Sequence, residues 1–324
     1  MKRDLIVVLG GSGFIGRQVV RALAKRGAGV RVPLRRPHLG HELRVMGDVG
    51  QIQLVQANIR HAESVKRAVE GASAVVNCVG LLTEKGRQNF KLIQAEGAAL
   101  VAQAAKAAGV ERFVQISSIG AHPKSKARYA RTKAEAEAAV RAALPKATIL
   151  RPSVVFGPED TFFNRFANMA KFAPALPLIG GGKTKLQPIF VGDVAEAVCA
   201  ALTRPDAQGR IYELGGPRIY TFKQLLEFTL AQAARKRPLV PLPFFVAHPM
   251  GVLIDWAFRL NPFADPPLTG DQVNLLRTDN IVAAEGEVGT IADLGVAELE
   301  TIESIVPTYL WRFRPHGQFE ARPA

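Results

Sequence analysis

Short apolar runs alternate with segments of helical period along the first half of the chain. Leu5-Ile6-Val7-Val8-Leu9 is continuously apolar, as a strand buried on both faces of a parallel sheet must be. Residues 17–25 then place apolar side chains on one helical face and charge on the other. The same alternation predicts strands at 29–34, 52–58, 74–80, 112–116 and 148–152. Helices are predicted at 61–70, at 90–108 with Gly109 in the capping position, and at 129–143. Strands and helices in this order predict an α/β protein built on a parallel sheet.

From Phe162 the pattern loosens. A helix is expected at 162–172, followed by a loop through the Pro- and Gly-rich stretch 174–182. Asp193 reads as the cap of a helix at 194–203, 211–214 as a short strand, and Thr221 as the cap of a helix to about 234. Residues 244–258 are rich in apolar side chains, broken by His248-Pro249 and Asp255. They read first as a core helix of a small lobe; the alternative is an amphipathic segment facing lipid or a partner subunit. After Pro262 the chain is Pro-rich, 290–309 reads as a last helical unit, and 311–324 as an extended tail. The division expected is a larger domain at 1–160, to which 186–214 returns, and a smaller lobe and docking region from 161–185 and 215–324.

Composition narrows the class. The chain has 324 residues and 48% hydrophobic content, enough for a sizeable core. Its 42 basic side chains exceed its 28 acidic ones, a formal charge of +14, so an anionic partner is expected. No nucleic acid is expected among the partners, because no basic stripe is interleaved with aromatics and no helix-turn-helix or zinc-finger spacing occurs. Cys78 and Cys199 lie in apolar stretches and read as free buried thiols of a reducing compartment. The first strand begins too early to leave room for a signal peptide, and no apolar run reaches the ~18 residues of a membrane span. His38-x-x-His41 has no convincing third ligand, so no metal site is expected.

The chemistry concentrates at the ends of the predicted strands. Gly10-Gly11-Ser12-Gly13-Phe14-Ile15-Gly16 joins the first strand to the first helix, which aims helix N–H groups and the positive dipole end at the turn. Its G-x-x-G-x-x-G spacing is a shifted form of the dinucleotide fingerprint, and the flanking strand and helix favour a nucleotide site over an ordinary tight turn. Gly10, Ser12, Gly13, Phe14, Ile15 and Gly16 are the expected cradle. The fold is then a Rossmann-type doubly wound parallel sheet with a smaller, discontinuous C-terminal lobe.

No acid stands at the end of the second strand, where an NAD protein binds the ribose. Arg35 and Arg36 stand there instead, and Arg17 can reach the same point. Guanidinium groups suit a 2′-phosphate, so NADPH (NADP) is expected in preference to NAD. Asn58, followed by Ile59, lies where a strand end meets an adenine, with a turn or cap role competing. Gly80 lets backbone approach the cofactor. Tyr129 and Lys133, at i and i+4, share one helical face. There an ammonium can lower the pKa of a phenol, or hold a ribose while the phenol moves a proton. Ser118, at the preceding strand end, would polarise a carbonyl.

Two further motifs follow: Arg151-Pro152-x-x-Val155-Phe156-Gly157-Pro158 and Pro188-Ile189-Phe190-Val191-Gly192-Asp193-Val194-Ala195. Taken in order with the glycine turn and the Tyr129/Lys133 pair, they resemble the extended or atypical short-chain dehydrogenase/reductases. That resemblance implies further cofactor contacts at Pro152 and Val155. A nearer resemblance, to the nucleotide-binding accessory subunits of respiratory complex I in their alphaproteobacterial form, is carried by four features. These are the turn from Gly10 to Gly16, the strand end Ser117-Ser118-Ile119-Gly120-Ala121, the short link to Tyr129, and Arg35 in place of the acid. It extends to Ile254-Asp255-Trp256 and Asp271-Gln272-Val273.

The nearer resemblance implies a resident NADPH outside the electron path, holding the protein in shape. It places the protein peripherally on the cytoplasmic side of the cell membrane. Its partners would be complex I subunits near the quinone-reducing arm, and anionic lipid headgroups. Active extended enzymes carry a longer substrate loop between their Ser or Thr and the Tyr; here the link is short and basic (Lys124, Lys126, Arg128). Independent turnover is therefore not expected. The alternatives are a free-standing NADP-dependent oxidoreductase or sugar-nucleotide epimerase/dehydratase using Ser118, Tyr129 and Lys133, and an NADPH-sensing regulator.

Overall fold

Eight strands in one sheet carry the first of two compact units. The computed structural model describes residues 4–86, 88–259, 266–283 and 288–319. The first unit comprises Met1–Pro152, Val191–Leu214 and Ala283–Ala297; the second comprises Ser153–Phe190, Gly215–Val282 and Glu298–Ala324.

In the first unit, β1 (Leu5–Leu9), α1 (Phe14–Lys25), β2 (Gly29–Leu34), β3 (Ile52–Gln56), α2 (Ala62–Val69) and β4 (Ala74–Asn77) follow one another as the apolar pattern predicts. After them come α3 (Glu96–Ala107), β5 (Arg112–Ile116), α4 (Arg128–Ala143) and β6 (Thr148–Pro152). From later in the chain, α5 (Val191–Thr203), β7 (Ile211–Leu214) and β8 (Gly289–Thr290) return to this unit.

The strand order is β8-β7-β6-β5-β4-β1-β2-β3, parallel throughout. Val7 of β1 pairs with Val75 of β4 on one side and Arg31 of β2 on the other. The winding reverses between β1 and β4, and in such sheets the carboxyl ends at the reversal flank the ligand crevice. Val7, Val8, Val30, Val32, Val75 and Val76 are fully buried, the β-branched filling expected of strands covered on both faces. One layer of core joins Val65 and Val69 of α2, Val101 and Ala105 of α3, and Ala136 and Val140 of α4 to Val7, Phe113 and Ile149. α1 packs beside α5.

α3 is preceded by a wider turn of π type at Lys91–Ala95, inside the stretch expected to be plain α-helix. α5 begins at Val191, which places Asp193 buried inside its first turn and not ahead of it. The stretch 290–309 is not one helical unit. Gly289–Thr290 completes the sheet beside β7, while Ile302–Ile305 and Pro307–Leu310 are short helices of the second unit.

In the second unit, Leu176–Ile179 is a strand paired in parallel with Leu239–Leu242, where a Pro- and Gly-rich loop was expected. Its partner is remote in sequence, so no local signal could announce it. Thr221 and Gln224 form a capping box that starts the helix Phe222–Gln232. The core gathers Phe156, Phe163, Leu178, Leu225, Leu226 and Leu310.

Phe244–Arg259 is one helix, continuous through Pro249. It is not a core helix. Ala247 is buried, but Phe245, Leu253 and Trp256 are 77%, 65% and 61% exposed, and Val246, Met250 and Val252 are exposed as well. The described part of the tail is likewise not extended: it turns at Trp311–Phe313 and Gly317–Phe319. Residues 260–265, at the start of the Pro-rich stretch, and residues 320–324 of the tail lie outside the described residues. Among the described residues, no helix is long and apolar enough to cross a membrane, and Cys78 and Cys199 are both free.

Candidate functional site

The chain leaves β1 at Gly10, which adopts φ +75°, and Gly13 N–H donates back to the Gly10 carbonyl at 2.9 Å. A Cβ on Gly10 would lie 3.0 Å from the backbone of Cys78 and Val79, at the end of β4. One on Gly16 would lie 2.1 Å from the Gly10 carbonyl oxygen. Bare backbone is therefore required where the two strand ends and the first turn of α1 meet. The N-cap Gly13 offers no side-chain cap, and the first turn of α1 holds no acid. The leading N–H groups, those of Phe14, Ile15 and Gly16, and the positive dipole end thus serve the turn itself. Uncapped donors at a glycine cradle on a topological switch point fit a dinucleotide pyrophosphate.

At the far side of the turn, Arg17 Nη2 donates to the Ser12 carbonyl at 2.9 Å and lies 3.3 Å from Glu42 Oε1. Glu42 belongs to the 3-10 segment His41–Met46. It is an acid that the sequence reading did not connect with this point. Arg35 and Arg36 are exposed just past β2, and among the described residues neither makes an ion pair. Asn58 Oδ1 accepts the N–H of Arg60 at 3.2 Å, which is the competing turn role. Ile59 packs against Gly97 of α3 and joins the core on that side.

Ser118, Tyr129 and Lys133 converge. Lys133 is buried, and its Nζ lies 5.8 Å from the Tyr129 ring centroid and 3.4 Å from the position of a Cβ on Gly80. Lys133 Nζ donates to the Ile116 carbonyl at 3.1 Å, and Gln115 Nε2 donates to the same carbonyl at 3.0 Å. Asn77 Nδ2 in turn donates to Gln115 Oε1 at 2.9 Å, so a buried polar chain fixes the lysine against the ends of β4 and β5.

Burial pulls the Lys133 ammonium down to about 8, against the pull of Glu137 and Cys78. Burial also raises the Tyr129 phenol, and the Ser118 hydroxyl is the group that counters it. The expectation that Lys133 lowers the phenol is not met here: the ammonium donates an N–H to the Ile116 carbonyl, and burial dominates the phenol. Ser118 Oγ is buried beside the Tyr129 phenol. Pro152 is buried at the end of β6, and its carbonyl accepts the Ile119 N–H at 3.0 Å. Val155 belongs to the second unit, where it pairs with Ile189.

The sequence reading missed the residues that hold this set in place. Phe90 meets the Tyr129 ring edge-on at 5.8 Å. Glu137, one turn beyond Lys133, is buried and accepts from Ser117 and Arg151. The spacing Tyr129, Lys133, Glu137 was a usable signal, since all three fall on one helical face. Nothing in the sequence singled out Phe90.

Residues 6–215 match the model of the NAD dependent epimerase/dehydratase family. The chain is 36% identical over 323 residues to NADH dehydrogenase (ubiquinone) 1 alpha subcomplex subunit 9, mitochondrial, of Rattus norvegicus, covering 98% of this chain and 84% of that protein. It is 31% identical over 262 residues to ceramide reductase of Caulobacter vibrioides, with 80% of each covered. Among solved structures, the crystal structure of gox2253 aligns with a TM-score of 0.71 at 22% identity, over 98% of this chain and 100% of that one.

Proposed function

The chain belongs to the NAD dependent epimerase/dehydratase family, and from that premise we propose that it is an NADPH-binding accessory subunit of a complex I-type NADH:quinone oxidoreductase. One observation carries this reading. The 36% identity to the rat subunit runs over 98% of the chain, well past the family domain and through the second unit.

Gly10, Ser12, Gly13, Phe14, Ile15 and Gly16 would hold the pyrophosphate by backbone donors and the helix dipole. Arg17, Arg35 and Arg36 would take the 2′-phosphate, because no acid closes β2 and guanidinium groups bind phosphate with paired hydrogen bonds. The amide end of Asn58 and the adjoining Ile59 would border the adenine. Gly80, Tyr129, Lys133 and Pro152 would border the nicotinamide and its ribose. When bound, NADPH supplies a hydride; in this reading the protein keeps it as a structural ligand.

A peripheral position on the cytoplasmic side of the membrane follows from the same reading. The exposed face of Phe244–Arg259 offers Phe245, Leu253 and Trp256 to a lipid surface or a neighbouring subunit. An open groove of about 630 Å³ in the same unit is lined by Lys223, Arg235, Lys236 and Arg237, with Glu227 its acid, and suits anionic headgroups.

Gentle solubilisation of membranes followed by native electrophoresis tests the reading. The chain should migrate with NADH:quinone oxidoreductase activity, and recovery in the soluble fraction alone would overturn the assignment. The likeness to ceramide reductase and the converging Ser118, Tyr129 and Lys133 favour a second reading, a free-standing NADP-dependent reductase. Substrate-dependent NADPH oxidation lost in Tyr129→Phe would support that one.

A further inference from the structure

We propose that Glu42 is a built-in competitor for Arg17 that limits how strongly the site prefers a 2′-phosphorylated nucleotide; this rests on the reading of Arg17, Arg35 and Arg36 as a phosphate site. The run from Arg35 to Met46 contains five basic or imidazole side chains, Arg35, Arg36, His38, His41 and Arg44, and Glu42 is its acid. No carboxylate closes β2, yet one reaches the same neighbourhood in space, at 3.3 Å from Arg17 Nη2.

The acid is placed there by a folded segment. Leu43, next to it, is completely buried, and Gly40 lies so close to Leu34 that a Cβ there would come within 2.5 Å of the Leu34 side chain. Downstream, Gln51 Nε2 donates to the carbonyls of Ala24 at 2.7 Å and Ala28 at 2.9 Å, and Gln51 Oε1 accepts from Asp48 N–H at 2.8 Å. These contacts tie the run between β2 and β3 down against α1, so Glu42 stands over Arg17 from a fixed base.

The consequence follows from charge and from donor supply. Arg17 Nη2 already serves the Ser12 carbonyl and the Glu42 carboxylate. A phosphate that takes the guanidinium by two parallel bonds must displace the carboxylate or accept its repulsion. A nucleotide with a free 2′-hydroxyl bears no such charge and meets no such penalty. Glu42 is half-exposed, so each effect is of the size of a surface ion pair, not of a buried one.

The test is to measure NADPH and NADH binding to the full chain by calorimetry, for the wild type and for Glu42→Gln, Glu42→Asp, Arg17→Gln and Arg35→Ala/Arg36→Ala, with circular dichroism confirming the fold of each. Glu42→Gln should tighten NADPH by about twofold to fivefold and leave NADH unchanged, while Glu42→Asp, which keeps the charge, should stay near wild type. Unchanged NADPH affinity in Glu42→Gln, with a selective loss in Arg17→Gln, would overturn this proposal and leave the phosphate site standing. A loss of NADH affinity in Glu42→Gln would make Glu42 a ribose acceptor and overturn it too. If neither Arg17→Gln nor Arg35→Ala/Arg36→Ala weakens NADPH selectively, the phosphate reading itself fails, and the competitor role fails with it.

Discussion

Arg151 grips Glu137 with two parallel bonds, Nε to Oε1 at 2.9 Å and Nη2 to Oε2 at 2.6 Å, tying β6 to the helix that carries Tyr129 and Lys133. Ser117 donates to the same carboxylate, and Glu213 of β7 lies 3.8 Å from Arg151. Glu137 raises the Arg151 guanidinium above its ordinary value, against the effect of burial. Removing one member of so enclosed a pair strands the other. Glu137→Ala should therefore cost about 3 kcal/mol or more in urea unfolding, with Glu137→Gln milder. A cost below about 1 kcal/mol would show that the pair is solvated.

The depressed Lys133 gives a signed pH dependence. With its ammonium at about 8 in the folded chain and near the ordinary lysine value when unfolded, the folded state binds fewer protons between those limits. This group's share of stability therefore rises with pH from about 8 to about 10.5. Cys78 and Cys199, pushed up to about 12 and about 11 by burial, act in the opposite sense above pH ~9. Comparing wild type with Lys133→Met between pH 8 and 9 isolates the lysine, and the difference in unfolding free energy should shift in favour of wild type as pH rises.

Arg35→Ala/Arg36→Ala should weaken NADPH binding by about tenfold to a hundredfold, the scale of one or two hydrogen bonds to a charged group. NADH binding should be nearly unchanged. Equal losses for both nucleotides in calorimetry would refute the phosphate assignment.

Gly16→Ala places a methyl group 2.1 Å from the Gly10 carbonyl oxygen, and because its nearest neighbours are backbone atoms of Gly10 and Gly11 there is little room to give. We expect a destabilisation of about 3 kcal/mol or more, read as a lowered Tm, together with loss of nucleotide binding. A variant that melts and binds like wild type would mean that the turn is looser than described.

The exposed apolar face of Phe244–Arg259 makes a separate prediction. Leu253→Glu/Trp256→Glu should release the chain from membranes or from its complex in flotation assays while leaving nucleotide affinity and Tm close to wild type. A variant that fails to fold would instead place that face in the core.

Much of the first unit was legible because its signals are local. Leu5-Ile6-Val7-Val8-Leu9 is apolar on both faces, Gly10 to Gly16 spells a turn that only bare backbone can make, and Tyr129 and Lys133 are one helical turn apart. The second unit resisted for the opposite reason. Pro177 and the Gly180-Gly181-Gly182 run read as loop, yet Leu176–Ile179 is held by Leu239–Leu242. Phe244–Arg259 is apolar nearly all round, so periodicity could not say which side faces protein.

By itself the sequence determined the order of the strands and helices in the first unit, the glycine cradle and the i, i+4 placement of phenol and ammonium, since each follows from a few consecutive residues obeying backbone geometry. Tertiary structure decided what those residues experience. Burial, a property of the whole packed chain, brings the Lys133 ammonium down to about 8 and raises the phenol of Tyr129. Only the folded segment between β2 and β3 brings Glu42 to Arg17, and only the packing of the second unit leaves Trp256 and Leu253 facing outward.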